Sequence, residues 1–526
     1  MLENLILPNR YYDSVLLMSV ASKIKAIDGI NDISLMMGTD ANKNVLKETN
    51  FLTETGASAK PDDLIIAINF NEKKIKKENI ISIVEEYLKK EQSMQKKDSS
   101  EEYKSIESAL KNNDDLNLVF FSIPGTYVKS EAEIALKHDK NIMIFSDNVS
   151  IEEEKYLKNL AYEKGLIVMG PDCGTAIING IGLGFANKVK KGDIGIVGAA
   201  GTGIQEVTSI LDKFELGISQ AIGTGGRDLS AEIGGLSMMT AINALLEDNQ
   251  TKIIILISKP PAPDVEDKIL NFLKDKSKKF VITFLNSQKD YSDYGNLYFA
   301  KTLEEGALKC VAIYNDSTYN IKPFIISDEE INNRIKKIHS NFSDEQKYLR
   351  GLYSGGTLCD ETYFILEKLD FFIYSNRAKK DEHKLKNIYK SERNTLLDMG
   401  EDEFTRGTPH PMIDFTKRCE RMIQEANDKE TAIILFDLVL GYGAHPKPLE
   451  PLLETIKKIK KICAKEKRNI AFICALCGTK GDIQNYDLCF KELQKADVNV
   501  FTTNAQAARF AALLLNPNLS INDLKI

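Results

Sequence analysis

The sequence predicts an α/β protein built from parallel sheets covered by helices on both faces. Three observations carry this reading. Short, continuously apolar runs such as Ile253-Ile254-Ile255-Leu256-Ile257 and Ile433-Ile434-Leu435-Phe436 recur along the 526 residues, and strands that are apolar on both sides belong to sheets covered on both faces. These runs alternate with stretches of helical spacing, the strand–helix–strand rhythm of parallel sheets. Glycine-rich turns close several of the runs. The clearest is Gly192-Asp193-Ile194-Gly195-Ile196-Val197-Gly198-Ala199-Ala200-Gly201-Thr202-Gly203-Ile204-Gln205, a strand, a turn and the start of a helix.

The length suggests three or four domains. The chain is 43% hydrophobic and 28% charged, with a formal net charge of −7. That balance gives no footprint for nucleic acid or an anionic membrane. The longest apolar runs are too short to span a bilayer, and the N-terminus has no basic start or long apolar centre of a signal peptide. A cytoplasmic location is expected. Eight cysteines in this length do not form a disulfide framework. Cys474 and Cys477 form a C-x-x-C with no second pair to complete a zinc site. Core thiols at a strand end, a redox pair or a metal site all remain open there.

Residues 1–112 read as a small α/β module with a charged linker. A strand at 4–7 is followed by a helix at 13–27, a strand at 30–37, a helix at 40–48, a strand at 64–68 and a helix at 80–88. Residues 71–115 are crowded with Lys, Glu, Ser and Asn, a solvated surface. Residues 113–190 form a Rossmann-like half domain. Strands are expected at 118–123, 142–145 and 166–169, with helices at 131–137 and 151–163. Ligands of such sheets gather at the C-terminal strand ends, which marks Pro171 and Asp172 in the turn after 166–169.

Residues 191–325 repeat the plan around the opening stretch. The strand at 218–222 ends in Gly223-Thr224-Gly225-Gly226-Arg227-Asp228, so Gly225 and Gly226 also fall at the ligand edge. Residues 325–348 read as a linker or bridging helix. Residues 345–526 run through the plan again, starting from Leu352-Tyr353-Ser354-Gly355-Gly356-Thr357-Leu358. Four landmarks recur in the same order, which indicates an internal duplication. Each glycine turn leaves backbone N–H groups at a helix N-terminus, where phosphate or carboxylate is favoured. Gly201, Thr202, Gly203 and Gly355, Gly356, Thr357 are therefore the expected phosphate-binding residues. The duplication would let the two turns face each other across a pseudo-two-fold axis.

Several stretches resemble a known family. The run from Phe120-Phe121-Ser122-Ile123-Pro124 to Met169-Gly170-Pro171-Asp172-Cys173-Gly174 resembles part of the CoA-binding domain of the succinyl-CoA synthetase α subunit. The opening glycine stretch resembles the start of that subunit's ligase domain, and Leu397-Asp398-Met399-Gly400 resembles the β subunit's ligase domain. Asp13-Ser14-Val15, Met37-Gly38-Thr39-Asp40-Ala41-Asn42-Lys43, Arg350 to Cys359, Thr408-Pro409-His410-Pro411-Met412-Ile413-Asp414 and Val439-Leu440-Gly441-Tyr442-Gly443-Ala444-His445-Pro446 resemble the FdrA family from end to end. The resemblance implies two duplicated flavodoxin-like, ligase-type domains after the half domain. It also implies one of two activities. The first is a subunit of an oxamate carbamoyltransferase, converting oxalurate and phosphate to oxamate and carbamoyl phosphate in allantoin breakdown. The second is an acyl-CoA synthetase component that needs a partner for its nucleotide. A non-catalytic, anion-binding scaffold is a third possibility.

Departures from the synthetase pattern weigh on this choice. The synthetase carries phosphate on a histidine, and the matching segment here, 285–300, has none. The five histidines are His138, His339, His383, His410 and His445. No G-x-x-x-x-G-K-[ST] occurs, and the glycine fingerprint that seats CoA phosphates is missing. Phosphate or carbamoyl phosphate is then expected as substrate, CoA is possible, and other subunits of a complex are the expected partners in an oligomer. Arg227 or Arg406 would supply a bidentate cation, or make a surface ion pair. His410 and His445, in loops at strand ends, would act as general acid/base or oxyanion donor, or cap turns. Asp398, Glu401, Asp402 and Glu403 read as a polar loop, with no metal expected.

Overall fold

The computed structural model describes all residues except 11, 13, 26, 96–102, 288, 290, 321, 407 and 526, and leaves aside the side chains of 14, 15, 22, 41 and 91–95. Asp13 and the side chains of Ser14, Val15 and Ala41 therefore lie outside the described residues. The chain divides into two compact units: Met1–Tyr103 with Glu401–His410, and Lys104–Gly400 with Pro411–Ile526.

The N-terminal unit holds a three-stranded antiparallel sheet in which Leu64–Phe70 lies between Leu2–Leu7 and Ile30–Met37. The central strand is buried along almost its whole length, as its sequence LIIAINF requires. Helices Ser14–Lys25 and Lys77–Gln95 supply Val20, Ile24, Ile80, Val84 and Leu88 to one core. Helix Asp40–Glu48 begins at Thr39, whose side chain accepts from Asn42 N, and places Leu46 in a second core with Ile65 and Ala67. The strand and helix bounds predicted at 30–37 and 40–48 are those observed.

In the other unit, Leu118–Phe121, Asn141–Ile144 and Val168–Met169 form the parallel half domain. Its helix Ile151–Glu163 opens on a Ser150/Glu153 capping box, each side chain satisfying the other's free N–H. The half domain ends earlier than predicted. Thr175–Ile178 and Ile181–Gly184 form an antiparallel hairpin that joins the next sheet through Ile218–Gly223. Asn179 and Gly180 at its tip both have positive φ, the turn an Asn-Gly pair adopts.

That next sheet runs Leu297–Phe299, Lys279–Phe284, Ile253–Ser258, Lys191–Ala199, Ile218–Gly223 and then the hairpin. Its first five strands are parallel. The second sheet, parallel throughout, runs Val498–Phe501, Ala471–Cys477, Thr431–Val439, Tyr348–Tyr353, Thr395–Asp398 and Tyr374–Ser375. In the first, the founding strand lies between the second and third, the flavodoxin-like order; in the second, Tyr374–Ser375 is an added edge strand and the founding strand Tyr348–Tyr353 lies between Thr395–Asp398 and Thr431–Val439. The duplication read from four landmarks is thus a duplication of topology.

Helices Gly201–Lys213 and Leu303–Tyr314 of the first ligase-type domain pack against Gly356–Lys368 and Asn504–Leu515 of the second. Ile204, Val207 and Leu211 share one continuous core with Leu358, Leu366, Phe510 and Ala511. Each such side chain contributes about 1.5–3 kcal/mol on full burial, so the two domains share a hydrophobic interior.

Candidate functional site

The two glycine turns meet. A Cβ on Gly203 would lie 3.0 Å from Thr357 Cγ2, and one on Gly355 would lie 2.7 Å from Thr202 Cγ2 and 2.8 Å from its Oγ1. Only glycine at these two positions lets the helix N-termini approach this closely. Hydrogen bonding in the first helix starts at Ile204 N to Ala200 O, 3.0 Å, and in the second at Cys359 N to Gly355 O, 3.1 Å. The N–H groups of residues 201–203 and 356–358 therefore point out of their helices, the arrangement that favours an anion.

The cradle is less symmetric than its sequence. Asp437, fully buried in Thr431–Val439, accepts from Ser354 N at 2.8 Å and Gly355 N at 2.9 Å, and also from the Ser354 hydroxyl. Arg418 Nη1 donates to the same carboxylate at 2.6 Å. Gly355 is thus corrected from phosphate donor to partner of an internal carboxylate. A charge inside a continuous strand must find donors, and the adjacent turn provides them. The side chain of Asp398 lies where a Cβ on Gly356 would go. It pairs with Arg377, which also binds Asp360 through Nε at 2.7 Å and Nη2 at 3.0 Å. Burial raises the Asp398 carboxyl above its ordinary range, against the lowering effect of Arg377 and Lys259. Lys259 follows strand Ile253–Ser258, whose last residue is registered with Ala199 beside the first turn. Its ammonium is 3.8 Å from Asp360 in the second domain.

Arg227 lies elsewhere. It pairs with Glu154 at 2.8 Å and donates to Val149 O at 2.8 Å. Glu154 also pairs with buried Lys158, which reaches Asp228 at 2.8 Å. The Asp228 carboxylate accepts from Ser237 N and Met238 N at the start of Leu236–Glu247. Arg227 therefore belongs to an ion network tying the half domain to the first ligase-type domain, the alternative to a substrate cation. Gly225, with φ of +85°, lies against the carbonyl of Pro171, so these predicted substrate residues do come together. Gly226 faces open space, and Asp172 N donates to Ser146 O at 3.0 Å.

His445 N donates to Met412 O at 2.8 Å, and its Nδ1 accepts from Lys447 N at 3.1 Å. Its ring lies 5.0 Å from that of Phe415. Burial lowers its pKa, which favours a neutral imidazole with Nε2 protonated. Arg406, exposed, and His410, half-buried, belong to Glu401–His410 in the N-terminal unit, whereas both turns belong to the other unit. Among the described residues, no group of three or more His, Cys, Asp or Glu could hold a metal ion.

Cys474 and Cys477 sit in one strand, both buried, and three positions apart in a strand means opposite faces. Burial pushes both thiols well up. They are core thiols, not a redox pair. Sequence reasoning missed Lys259, Asp360, Arg377 and Asp437. A lone Asp inside an apolar strand run was the available signal for the last. Arg377 comes from a charged insertion, residues 376–394, and carries no local signal.

Comparison with known proteins gives matches along the whole chain. Residues 352–514 match the CoA-ligase family model, 189–285 the CoA binding domain, and 1–105 the AllF, heavy metal-associated domain. Over 506 residues the chain is 43% identical to the uncharacterized protein YahF of Escherichia coli (strain K12), covering 96% of each. The chain belongs to the FdrA family. It is also 26% identical over 179 residues to the succinate–CoA ligase α subunit of Methanothermobacter thermautotrophicus, spanning 34% of this chain and 59% of the relative. Two solved structures are also matched, at low TM-score. ATP citrate lyase from Methanothrix soehngenii is 15% identical, with TM-score 0.35 and coverage of 43% and 44%. The dinucleotide-forming acetyl-coenzyme A synthetase 1 of Ca. Korarchaeum cryptofilum is 13% identical, with TM-score 0.29 and coverage of 78% and 84%.

This FdrA-family chain is succinyl-CoA-ligase-like, with its CoA-binding match one domain later than the half domain to which the sequence resemblance pointed. Residues 1–105 contain neither cysteine nor histidine, so they offer a heavy metal no thiolate or imidazole ligand. Among the described residues, no helix is long and apolar enough to cross a membrane.

Proposed function

We propose that the chain is the CoA-ligase-type component of an acyl-CoA synthetase-like enzyme and binds an acyl phosphate at its first glycine turn. One observation carries this: two helix N-termini abut, and while Asp437 takes the N–H groups of Ser354 and Gly355 just before the second helix, the first turn keeps its N–H groups at residues 201–203 pointing outward. An acyl phosphate seated there has its phosphate on those donors and its carbonyl toward the Lys259, Arg377, Asp398 cluster. The positive ends of the helices stabilise the charge that develops on phosphate as it leaves. Asp398, its carboxyl raised by burial, is placed to take the proton of an attacking thiol. The partners are a separate nucleotide-binding subunit and small anionic substrates.

Carbamoyl phosphate as that acyl phosphate is a second reading. The histidine-free segment 285–300 favours it, because phosphate exchanged directly at the acyl carbon needs no phosphohistidine. Titration calorimetry with inorganic phosphate and acetyl phosphate tests the site. Binding is expected in the parent chain and in Gly226→Asp, and lost in Gly201→Asp, whose carboxylate takes the seat. Equal binding by Gly201→Asp refutes the site. Thioester formation from CoA, or carbamoyl phosphate from oxalurate and phosphate, then separates the two readings.

A further inference from the structure

Glu206 and Glu361 hold the same place in the two domains, five residues after Gly201 and Gly356, the first residues of their helices. Each side chain crosses to the other domain. Glu361 Oε1 accepts from Leu303 N at 2.7 Å, the first N–H of Leu303–Tyr314. Glu206 Oε1 accepts from Asn504 N at 2.7 Å, the first N–H of Asn504–Leu515. The Asn504 side chain then donates to Glu361 Oε2 at 2.8 Å. Two equivalent carboxyls thus meet at one asparagine, both fully buried, and each completes the other domain's last helix.

The surroundings do not neutralise two negative charges. Glu304 faces the pair, with its own charge taken by Arg509 at 2.5 Å. We propose that Glu206 and Glu361 share one proton and act as a latch between the two ligase-type domains that loosens as pH rises. The groups that bear on the pair are Lys213 on the Glu206 helix and Glu304 on Leu303–Tyr314 of the same domain, and from the second domain Cys477 on strand Ala471–Cys477 and Tyr486 on helix Tyr486–Lys495. Tyr353 and Glu304 also bear electrostatically on Glu361. Lys213, exposed at the end of its helix, is held by Thr502 O at 2.8 Å. Like-charged carboxyls sharing a buried site cannot both ionise without cost, and their titration belongs to the pair. Burial and the neighbouring Glu206 raise Glu361 to about 8, and burial raises Glu206 in the same direction. The folded state holds a proton that the unfolded chain releases near the ordinary glutamate value, so stability is complete at acid pH and falls as pH rises toward the folded value.

Infrared difference spectra of the full chain, titrated from mildly acidic to alkaline pH, test the latch. A protonated-carboxyl stretch is expected at neutral pH, lost with a midpoint near about 8. It should vanish in Glu361→Gln and move to lower pH in Glu206→Gln. Hydrogen exchange gives the second readout. Protection at the Leu303 and Asn504 amides, corrected for intrinsic rates, should fall about tenfold for each pKa unit by which the pair's ionisation is opposed, and stay level in Glu361→Gln. The parent spectrum decides alone if either variant fails to fold. No protonated carboxyl at neutral pH, or one with the same titration in all three proteins, overturns the proposal.

Discussion

Replacing Gly355 by alanine should drive the two ligase-type domains apart at the point where their helices touch. The new Cβ would stand 2.7, 2.8 and 2.9 Å from Thr202 Cγ2, Oγ1 and Cβ. Because Thr202 Cβ is among these atoms, no rotamer of that side chain relieves the clash, and a helix must shift. Overpacking of this kind costs about 1–3 kcal/mol. Alanine returns about 0.4–1 kcal/mol by restricting the unfolded chain. A net loss of about 1–2 kcal/mol is expected. Denaturant unfolding of Gly355→Ala, Thr202→Gly and the double variant measures it. The double variant should recover most of the loss, giving a coupling of about 1 kcal/mol. Gly226→Ala, with nothing within 4 Å of its new Cβ, is the control and should be close to neutral. A Gly355→Ala protein as stable as the parent would refute the reasoning. So would a cycle that is additive within about 0.3–0.5 kcal/mol.

Arg418→Met leaves the buried carboxylate of Asp437 without its guanidinium, and should destabilise by about 3–5 kcal/mol, read by the same unfolding assay. All eight cysteines are buried, so the native chain should resist thiol labelling at neutral pH and react fully once unfolded; Cys474→Ala and Cys477→Ala should leave redox behaviour unchanged. The His445 imidazole should titrate below its ordinary value by nitrogen NMR, because burial opposes its charge. Its contribution to stability is then complete above the unfolded value and declines as pH falls toward the folded one, a trend His445→Gln should remove.

Much of this architecture was legible because parallel sheets write themselves plainly. Ile253–Ser258 and Thr431–Val439 are buried at every position, and such runs admit few other readings. The duplication was legible from the order of its landmarks. The hairpin 175–184 was not read as part of the first ligase-type sheet, although its Asn179-Gly180 turn was available in the sequence. The site was read less well. A glycine turn announces free N–H groups, but which carboxylate comes to them is decided by strands far away in sequence. Asp437 reaches Gly355 across 82 residues, and Arg377 reaches Asp360 only because the insertion folds back. For Arg227, a charged loop residue at a strand end fitted both readings, and only its partner Glu154 distinguished them.

The exchanged helix caps impose an order on synthesis. Leu303 N waits for Glu361, 58 residues later in the chain, and Glu206 waits for Asn504, 298 residues later. The first ligase-type domain therefore leaves the ribosome with the first N–H of its last helix unmet, Thr302 capping only Glu305 N, and the carboxyl of Glu206 without its partner. Domains generally fold as units during translation, but this one reaches its finished state only after nearly the whole chain has been made. A fragment ending before residue 345 should be poorly ordered at Leu303–Tyr314 and prone to associate through the apolar face that Gly356–Lys368 and Asn504–Leu515 would have covered.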